Sequence, residues 1–292
     1  MITTGIVYQL SGLWTAELCV VSLWSLRQHY HGPVTLFITE DCKAVGEAIE
    51  SDKRLEVDLL PTQLPEGGRR PHWVAKTFTY LLSPYDYTIY IDSDTIVLAD
   101  PSSLFGHLVL PKCADLRILD DHEYPKSVRA QFRKFRKHGP IMSDMIDRCY
   151  KANLYIVNNG VMGFAKDHPL FYELHHLCIG LRDEQMHDEI AIQLCLPRYD
   201  DVRWVGGEWN ALVAYETKWA DRKIAHYHHK YYATLARGRD TWLPHLRAAI
   251  EANVAGIRDW AGTHNHHVAS VLAGMPASVD ALSETQLAGQ GT

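Results

Sequence analysis

The run Tyr87-Thr88-Ile89-Tyr90-Ile91 is followed directly by Asp92-Ser93-Asp94. The run is short and rich in β-branched and aromatic residues, which predicts a buried strand. Two carboxylates two residues apart point the same way if the backbone stays extended. Left unpaired they would be costly to desolvate, and a divalent cation such as Mn²⁺ or Mg²⁺ removes that cost. Such a pair also occurs as a plain polar turn, so the surrounding chain has to distinguish a metal site from a turn.

Strand and helix patterns alternate on both sides of this run. Strands are predicted at 5–10, 34–39, 55–60, 95–98, 154–157, 161–164, 202–205 and 223–227, and helices at 15–30, 43–51, 73–82, 171–181, 188–196 and 243–260. This α/β alternation predicts a mainly parallel sheet with flanking helices. Open sheets of this kind bind ligands at the carboxyl ends of their strands, which is where the aspartate pair would lie.

The composition is that of an ordinary globular protein. Of the 292 residues, 47% are hydrophobic and 22% are charged, which excludes a disordered chain. A net charge of −6 argues against a general polyanion-binding surface. No signal-peptide pattern is evident at the start, and the longest apolar stretch, 18–26, is about half the length that a membrane span needs. That stretch predicts no membrane span. The six scattered cysteines lack zinc-binding spacing, so we expect free thiols in the cytoplasm.

Residues 84–98 resemble the Asp-x-Asp segment of nucleotide-sugar glycosyltransferases with the GT-A fold. The resemblance is strongest to the glycogenin-like and galactosyltransferase-like enzymes of glycosyltransferase family eight. Further segments follow in the family's order over roughly residues 1–232. They are the first strand at 5–10, the helix segment 22–27, the basic residue Lys76, the Asn-x-Gly-Val-Met segment 158–162, the segment 188–191 and His226 after a late strand.

The resemblance implies a GT-A (Rossmann-like) domain over 1–240, followed by a C-terminal helix and flexible tail over 241–292. It implies an enzyme that moves a hexose from a nucleoside-diphosphate sugar, with UDP favoured, to an acceptor hydroxyl, and it favours a retaining outcome. The implied ligands of Mn²⁺ or Mg²⁺ are Asp92, Asp94 and His226, and His228 and His229 compete for the third place. The implied donor-binding residues are Tyr8, Lys76, Asp92, Ser93, Asn159, Gly160 and Lys230.

Asp188 and Glu189 are the candidate catalytic carboxylates. One of them could deprotonate the acceptor hydroxyl in an inverting reaction, or stabilise an oxocarbenium-like centre in a retaining one. Two acidic residues at a helix start are also favoured simply by the helix dipole. Likewise, the Asn159-Gly160 pair forms tight hairpin turns readily, without any ligand.

The chain departs from the family pattern in two places. The family's Asp-Gln is Asp188-Glu189 here, which adds a carboxylate near the expected reacting centre. The family's late motif His-x-x-Gly-x-x-Lys-Pro-Trp is replaced by a segment over 226–232 that lacks the glycine and brings Lys230 two positions early. Lys230 as a diphosphate contact therefore depends on a rearranged loop.

Two basic segments offer further anion contacts. Arg69 and Arg70 lie in a loop and suit bidentate phosphate binding, or are simply solvated. The segment 129–138 has apolar residues at helical spacing among basic ones, which is typical of an amphipathic helix with a solvated face. The same segment could bind an anionic acceptor, and its aromatic residues would suit stacking on unpaired bases.

Three other functions compete with this reading. The chain could be a non-catalytic GT-A-like module that binds a nucleotide sugar or a polyanion. It could also be a glycosyltransferase acting on modified nucleic acid. A metal-dependent nucleotidyltransferase would need a glycine-rich phosphate loop after the first strand, and residues 8–12 lack one.

Overall fold

The computed structural model describes residues 1–65, 71–112, 132–152, 157–184, 186–212, 221–227, 242–261 and 263. Strands and helices alternate through these residues as the periodicity predicts. The strands are β1 (Thr4–Leu10), β2 (Val34–Ile38), β3 (Val57–Pro61), β4 (Tyr87–Ile91), β5 (Thr95–Val97), β6 (Leu108–Pro111), β7 (Val161–Ala165), β8 (Arg203–Val205), β9 (Ala211–Leu212) and β10 (Ile224–His226). The helices are α1 (Ala16–Arg27), α2 (Lys43–Ser51), α3 (Pro71–Leu81), α4 (Pro140–Ala152), α5 (Pro169–Gly180), α6 (Asp188–Cys195), α7 (Trp242–Glu251) and α8 (Ile257–Trp260).

A seven-stranded sheet in the order β3-β2-β1-β4-β7-β6-β8 forms the centre of the described structure. Strands β3, β2, β1 and β4 pair in parallel, as do β6 and β8, whereas β7 runs antiparallel to both of its neighbours. The predicted α/β fold with a mainly parallel sheet and flanking helices is therefore confirmed.

The reversed strand β7 brings two distant parts of the chain to the same edge of the sheet. Ile91 at the end of β4 lies opposite Val161 at the start of β7. One residue further, the backbone N–H of Asp92 donates a hydrogen bond of 2.7 Å to the carbonyl of Gly160. The aspartate pair and the Asn158–Gly160 segment thus lie side by side.

A second, three-stranded sheet in the order β5-β10-β9 continues beyond the aspartate pair. Strand β10 is antiparallel to β5, with His226 opposite Thr95. The backbone N–H of Tyr227 donates to the carbonyl of Asp94 at 2.9 Å. These bonds fix His226 beside the two aspartates.

Apolar side chains cover both faces of the large sheet. On one face Ile6, Tyr8 and Leu10 of β1 pack against α1, and residues of α7 belong to the same cluster. On the other face Val7 packs in a cluster that contains residues of α3, α5 and α6. Each large side chain that is fully buried here contributes about 1.5–3 kcal/mol by removal from water, so both layers hold the strand ends in place.

The C-terminal helix predicted over 243–260 is not continuous. It is interrupted between α7 and α8, where Asn253, Ala255 and Gly256 have positive φ values of 46°, 48° and 66°. Left-handed backbone cannot continue a right-handed helix, so the chain turns there. The segment packs against the same apolar cluster as α1, through Leu246 among others. The division into 1–240 and 241–292 stays a prediction, because residues 264–292 lie outside the described structure.

Candidate functional site

Asp92, Asp94 and His226 come together at the carboxyl end of β4. Their ligand atoms all lie within 4.8 Å of one another. His226 Nε2 is 3.1 Å from Asp94 Oδ1 and 3.7 Å from Asp92 Oδ2, and the His226 side chain is only 2% exposed. Two carboxylate oxygens and one imidazole nitrogen at this spacing can hold a divalent cation.

The carboxylates converge for a reason other than the predicted one. Strand β4 ends at Ile91, and Ser93 and Asp94 form a turn, so the two-residue alternation of a strand does not apply. The turn is tied down because the hydroxyl of Ser93 donates to the carbonyl of Gln9 at the end of β1. Ser93 is itself buried, and its hydroxyl is already committed to this backbone contact.

The ring of His226 is oriented from behind by Asn210. His226 Nδ1 lies 2.9 Å from Asn210 Oδ1, which leaves Nε2 on the side of the aspartates. Burial lowers the pKa of His226, but the nearby carboxylates of Asp94 and then Asp92 outweigh it and raise the pKa overall. The residues thus fit a cation, since metal-bound histidines are typically held through their second nitrogen in this way.

Lys76 on α3 bridges two carboxylates of the site. Its Nζ is 2.8 Å from Asp92 Oδ1 and 3.1 Å from Asp188 Oδ2. Burial by itself would lower the pKa of Lys76, but Asp188 and Asp92 outweigh burial and raise it. The ammonium is therefore charged at neutral pH, and it also lies 4.8 Å from the centre of the Tyr90 ring.

Asp188 and Glu189 begin helix α6, and they have different partners. Asp188 is buried and accepts from Asn159 Nδ2 at 2.7 Å, in addition to its contact with Lys76. Burial alone would raise its pKa, whereas Lys76, followed by His187, lowers it. Glu189 is half-buried and accepts from Asn158 Nδ2 at 3.3 Å. Both carboxylates therefore lie next to the Asn158–Gly160 segment.

Gly160 is needed because no side chain fits at its position. A Cβ atom there would lie 2.3 Å from Cε1 and 2.6 Å from Nδ1 of His226. The glycine predicted to admit a sugar ring thus also admits the histidine. Asn159, the amide predicted to line the sugar, is buried and bonded to Asp188.

Tyr8, a predicted donor-binding residue, does not belong to this cluster. The Tyr8 ring is fully buried on the α1 face of β1, where its hydroxyl accepts from Ser22. A phenol in that position supports the strand end from beneath and has no exposed surface for a nucleotide. Lys230, His228 and His229 lie outside the described residues, as do Arg69 and Arg70.

The basic segment is described only from residue 132 onward. Residues 132–135 are helical, with Phe132 and Phe135 buried and Arg133 and Lys134 exposed, as an amphipathic helix predicts. Arg136 is paired with Asp147. Lys137 and Glu184 are 3.0 Å apart. Arg133 and Lys134 are therefore the basic side chains of this segment that face solvent, and no ion pair is seen for them within the described residues.

Sequence reasoning missed the part that Asn210 plays. The residue stands after Trp209 in a short helical turn, 16 positions before His226, and no spacing rule connects the two. The glycines just before it, Gly206 and Gly207, gave no sign of this contact either.

A second cluster, His107, His168 and Asp201, has metal-like spacing at the opposite end of the strands. His168 precedes α5, and its Nδ1 accepts a hydrogen bond from the backbone N–H of Leu170 at 3.2 Å. The neutral ring must then carry its proton on Nε2, the atom 3.3 Å from Asp201 Oδ2. Because that nitrogen is a donor, the cluster fits a hydrogen-bonded connection between the ends of these elements better than a cation site.

Comparisons with known proteins find similarity in structure but not in sequence. No protein-family model matches the chain. No curated protein matches it either. A structure of the galactosyltransferase LgtC with donor and acceptor sugar analogues superposes with a TM-score of 0.51 and 13% identity, over 84% of this chain and 95% of LgtC. The bifunctional glycosyltransferase WbbM gives 0.48 and 14%, over 78% of this chain and 46% of WbbM, and an active-site mutant of LgtC gives 0.47 and 16%, over 77% and 87%.

The first of these superpositions confirms the predicted resemblance at the level of the fold. The chain has the α/β architecture of GT-A glycosyltransferases, with an Asp-x-Asp pair at the end of a central strand. None of the helices in the described residues combines the length and the apolar character that crossing a membrane requires.

Proposed function

We propose that the protein is a metal-dependent glycosyltransferase that moves a hexose from a nucleoside-diphosphate sugar to an acceptor hydroxyl. The observation that carries the proposal is the cluster of Asp92, Asp94 and His226 beside two further carboxylates, Asp188 and Glu189. A fold that only bound the donor would not need the second pair. The similarity to a galactosyltransferase in fold supports the same reaction class.

The charge balance of the site favours a divalent cation. Four carboxylates meet at these strand and helix ends, and Lys76 is the lysine that pairs with two of them in the described structure. A ligand set of two carboxylates and one imidazole suits Mn²⁺ better than Mg²⁺, which prefers oxygen alone. When bound, the cation would neutralise the charge that develops on the departing nucleoside diphosphate.

The protein's own side chains would then position the sugar. Lys76 holds the carboxylates of Asp92 and Asp188 in register and could transfer one of its bonds to a donor phosphate or sugar hydroxyl. Asn159 and Gly160 would line the ring, and Asp188 would accept from a hydroxyl. Because Asp188 already faces a lysine, Glu189 is the better candidate to act on the acceptor or on the oxocarbenium-like centre.

The donor and acceptor are proposed more coarsely. UDP is the favoured nucleotide and a retaining outcome is favoured, both on the family resemblance alone. The acceptor is anionic if the exposed Arg133 and Lys134 contact it. The cytoplasm fits the free thiols of the five described cysteines, Cys19, Cys42, Cys149, Cys178 and Cys195.

The test compares Asp94→Ala with Asp100→Ala, a carboxylate that caps a short helical turn at the surface. Calorimetry would measure Mn²⁺ binding, and release of nucleoside diphosphate from a panel of nucleotide sugars would measure turnover. We expect Asp94→Ala to lose both, while Asp100→Ala retains both. Turnover in Asp94→Ala equal to that of the wild type would refute the metal role, and donor binding without any turnover in the wild type would favour a binding module.

A further inference from the structure

Two buried asparagines connect the proposed metal ligand His226 to the carboxylate of Glu189. We propose that Asn210 and Asn158 are positioning residues: they fix which nitrogen of the His226 ring carries the proton, and they orient Glu189 through the same hydrogen bonds. The inference rests on the proposed function in that it takes His226 as a cation ligand. The inference concerns Asn158 and Asn210, which are not themselves ligands of the proposed cation.

The orientation of the Asn158 amide is set by the backbone. The N–H of Gly160 donates to Asn158 Oδ1 at 2.9 Å. A backbone N–H can only donate, so the amide atom facing it must be the oxygen. The Nδ2 group is thereby directed at Glu189, 3.3 Å from Oε1.

The orientation of Asn210 is also set by the backbone. The carbonyl oxygen of Asn158 lies 2.8 Å from Asn210 Nδ2. A carbonyl can only accept, so this amide atom must be the nitrogen. Its second proton points to Asn158 Oδ1 at 3.0 Å. The remaining atom, Asn210 Oδ1, is the one that faces His226 Nδ1 at 2.9 Å.

The tautomer of His226 follows from this arrangement. Since Asn210 Oδ1 can only accept, His226 Nδ1 must carry a proton in every protonation state of the ring. Nε2 is therefore the nitrogen that a cation would use, in place of any proton that Nε2 shares with Asp94. Nε2 is also the nitrogen that faces Asp94. The three side chains are 5%, 2% and 2% exposed for Asn158, Asn210 and His226, so water cannot easily replace a lost partner. An unsatisfied buried polar group costs about 1–3 kcal/mol, which makes the wrong tautomer a minor species.

All of these bonds run in one direction. His226 donates to Asn210, Asn210 donates to Asn158, and Asn158 donates to Glu189. Bonds in such a series polarise one another, so a change at one end affects the strength of the bond at the other. Replacing the middle of the series therefore affects the cation site at one end and the carboxylate at the other, although Asn210 itself contacts neither a sugar nor a cation.

Two substitutions at residue 210 separate these effects. Asn210→Leu keeps the volume but removes the acceptor, and we expect Mn²⁺ affinity to fall 10- to 100-fold, the usual effect of losing a partner behind a metal ligand. Asn210→Asp keeps an acceptor for Nδ1 but turns an oxygen toward the carbonyl of Asn158. We expect it to restore Mn²⁺ affinity to within threefold of the wild type and to leave turnover at least tenfold reduced, because Asn158 is pushed out of register with Glu189.

Two measurements other than turnover decide the proposal. Calorimetry gives the Kd for Mn²⁺ alone, and the ring ¹⁵N shifts of histidine-labelled, metal-free protein at alkaline pH give the tautomer, with the His226 signals assigned by their loss in His226→Gln. We expect Nδ1–H in the wild type and in Asn210→Asp, and a mixture of tautomers in Asn210→Leu. The matched control is Thr35→Val on β2, which keeps the volume and loses another buried hydrogen bond, the one between the Thr35 and Tyr85 hydroxyls at 2.8 Å.

The outcomes separate this inference from the proposed function. If Asp94→Ala binds Mn²⁺ as the wild type does, the metal site itself is refuted. If Asp94→Ala loses Mn²⁺ but Asn210→Leu keeps both the wild-type Kd and the Nδ1–H tautomer, only the positioning role is overturned. A Kd for Asn210→Asp no better than that for Asn210→Leu would also overturn it, as would an equal loss in Thr35→Val.

Discussion

Adding one methyl group at Gly160 should displace the metal ligand without touching any charged residue. In Gly160→Ala the new Cβ would lie 2.3 Å from Cε1 and 2.6 Å from Nδ1 of His226, and 2.9 Å from Asn158 Oδ1. Ordinary contact begins at 3.4 Å, so the ring or the strand must move by about 1 Å. Bonds to a metal tolerate about 0.2 Å, so a shift of this size removes His226 from the site.

The expected loss has two parts that can be measured separately. Overpacking a tight site costs about 1–3 kcal/mol of unfolding free energy, which urea denaturation would detect. Loss of one of three protein ligands should weaken Mn²⁺ at least 100-fold, since even a partner behind a ligand accounts for 10- to 100-fold. Calorimetric titration of the folded protein with Mn²⁺, below the onset of thermal unfolding, isolates the second part.

Two other glycines provide matched controls for this variant. Gly163→Ala, in β7, would place its Cβ 1.9 Å from the carbonyl oxygen of Leu104 and not against His226, so stability should fall while Mn²⁺ affinity stays. Gly180→Ala meets nothing within 4 Å and should change neither quantity. Wild-type Mn²⁺ affinity in folded Gly160→Ala would refute the reasoning, and so would an equal loss of affinity in Gly163→Ala.

Three further predictions concern charged residues. Lys76→Met should lower the unfolding free energy by about 3 kcal/mol, because the carboxylates of Asp92 and Asp188 lose their shared partner, whereas Mn²⁺ affinity should hold or rise. Adding Asp188→Asn should restore part of the stability measured by urea denaturation. An unchanged unfolding free energy in Lys76→Met would contradict the stabilising role of the lysine. The pKa of Asp52 is lowered from 3.8 to about 2, chiefly by its bond with Arg54, so Asp52 stabilises the fold above pH 4 and loses that effect as the pH falls through 2. Because the Arg54 side chain is 44% exposed, solvent screening reduces the effect, and Asp52→Asn should cost about 1 kcal/mol at pH 7 and less at pH 3. A difference in unfolding free energy that is independent of pH would disprove the assignment. Replacing the exposed Arg133 and Lys134 by glutamate should change the unfolding free energy by less than about 0.5 kcal/mol and leave hydrolysis of the donor intact. The same double variant should raise the KM of an anionic acceptor. A parallel loss of donor hydrolysis and of sugar transfer would exclude an acceptor surface at this segment.

The parts of the fold that could be predicted are those whose signal is local. The run before Asp92 and the patterns of α1 and α2 repeat within one element, so periodicity places them within a few residues. Strand β6 (Leu108–Pro111) was not predicted, because four residues ending in proline are too few to show a strand pattern. The break between α7 and α8 was not predicted either, because Ala255 is a strong helix former by residue type but adopts left-handed backbone in the folded protein.

The site residues also differ in whether a local sequence signal could predict their position. Asp92, Asp94 and His226 were predictable because their residue types and order match a family motif, and register then brings them together. The face on which Tyr8 lies was not predictable, because a strand buried on both sides gives no alternation to read. A motif of this kind specifies which residues are present but leaves open which way each side chain points.

The hydrogen bonds behind His226 depend on long-range geometry that no local pattern encodes. Asn158 takes its orientation from Gly160, whose place is set by the reversed strand β7, while Asn210 enters through a short turn before β9. Three segments far apart in sequence must therefore be placed before the tautomer of one ring is determined. Because backbone groups that can only donate or only accept fix both amides, and the Asn210 oxygen then fixes the proton on His226 Nδ1, the outcome is determined once the register is known. The residue types alone would have allowed either tautomer, and thus either a cation ligand or a histidine that binds no metal.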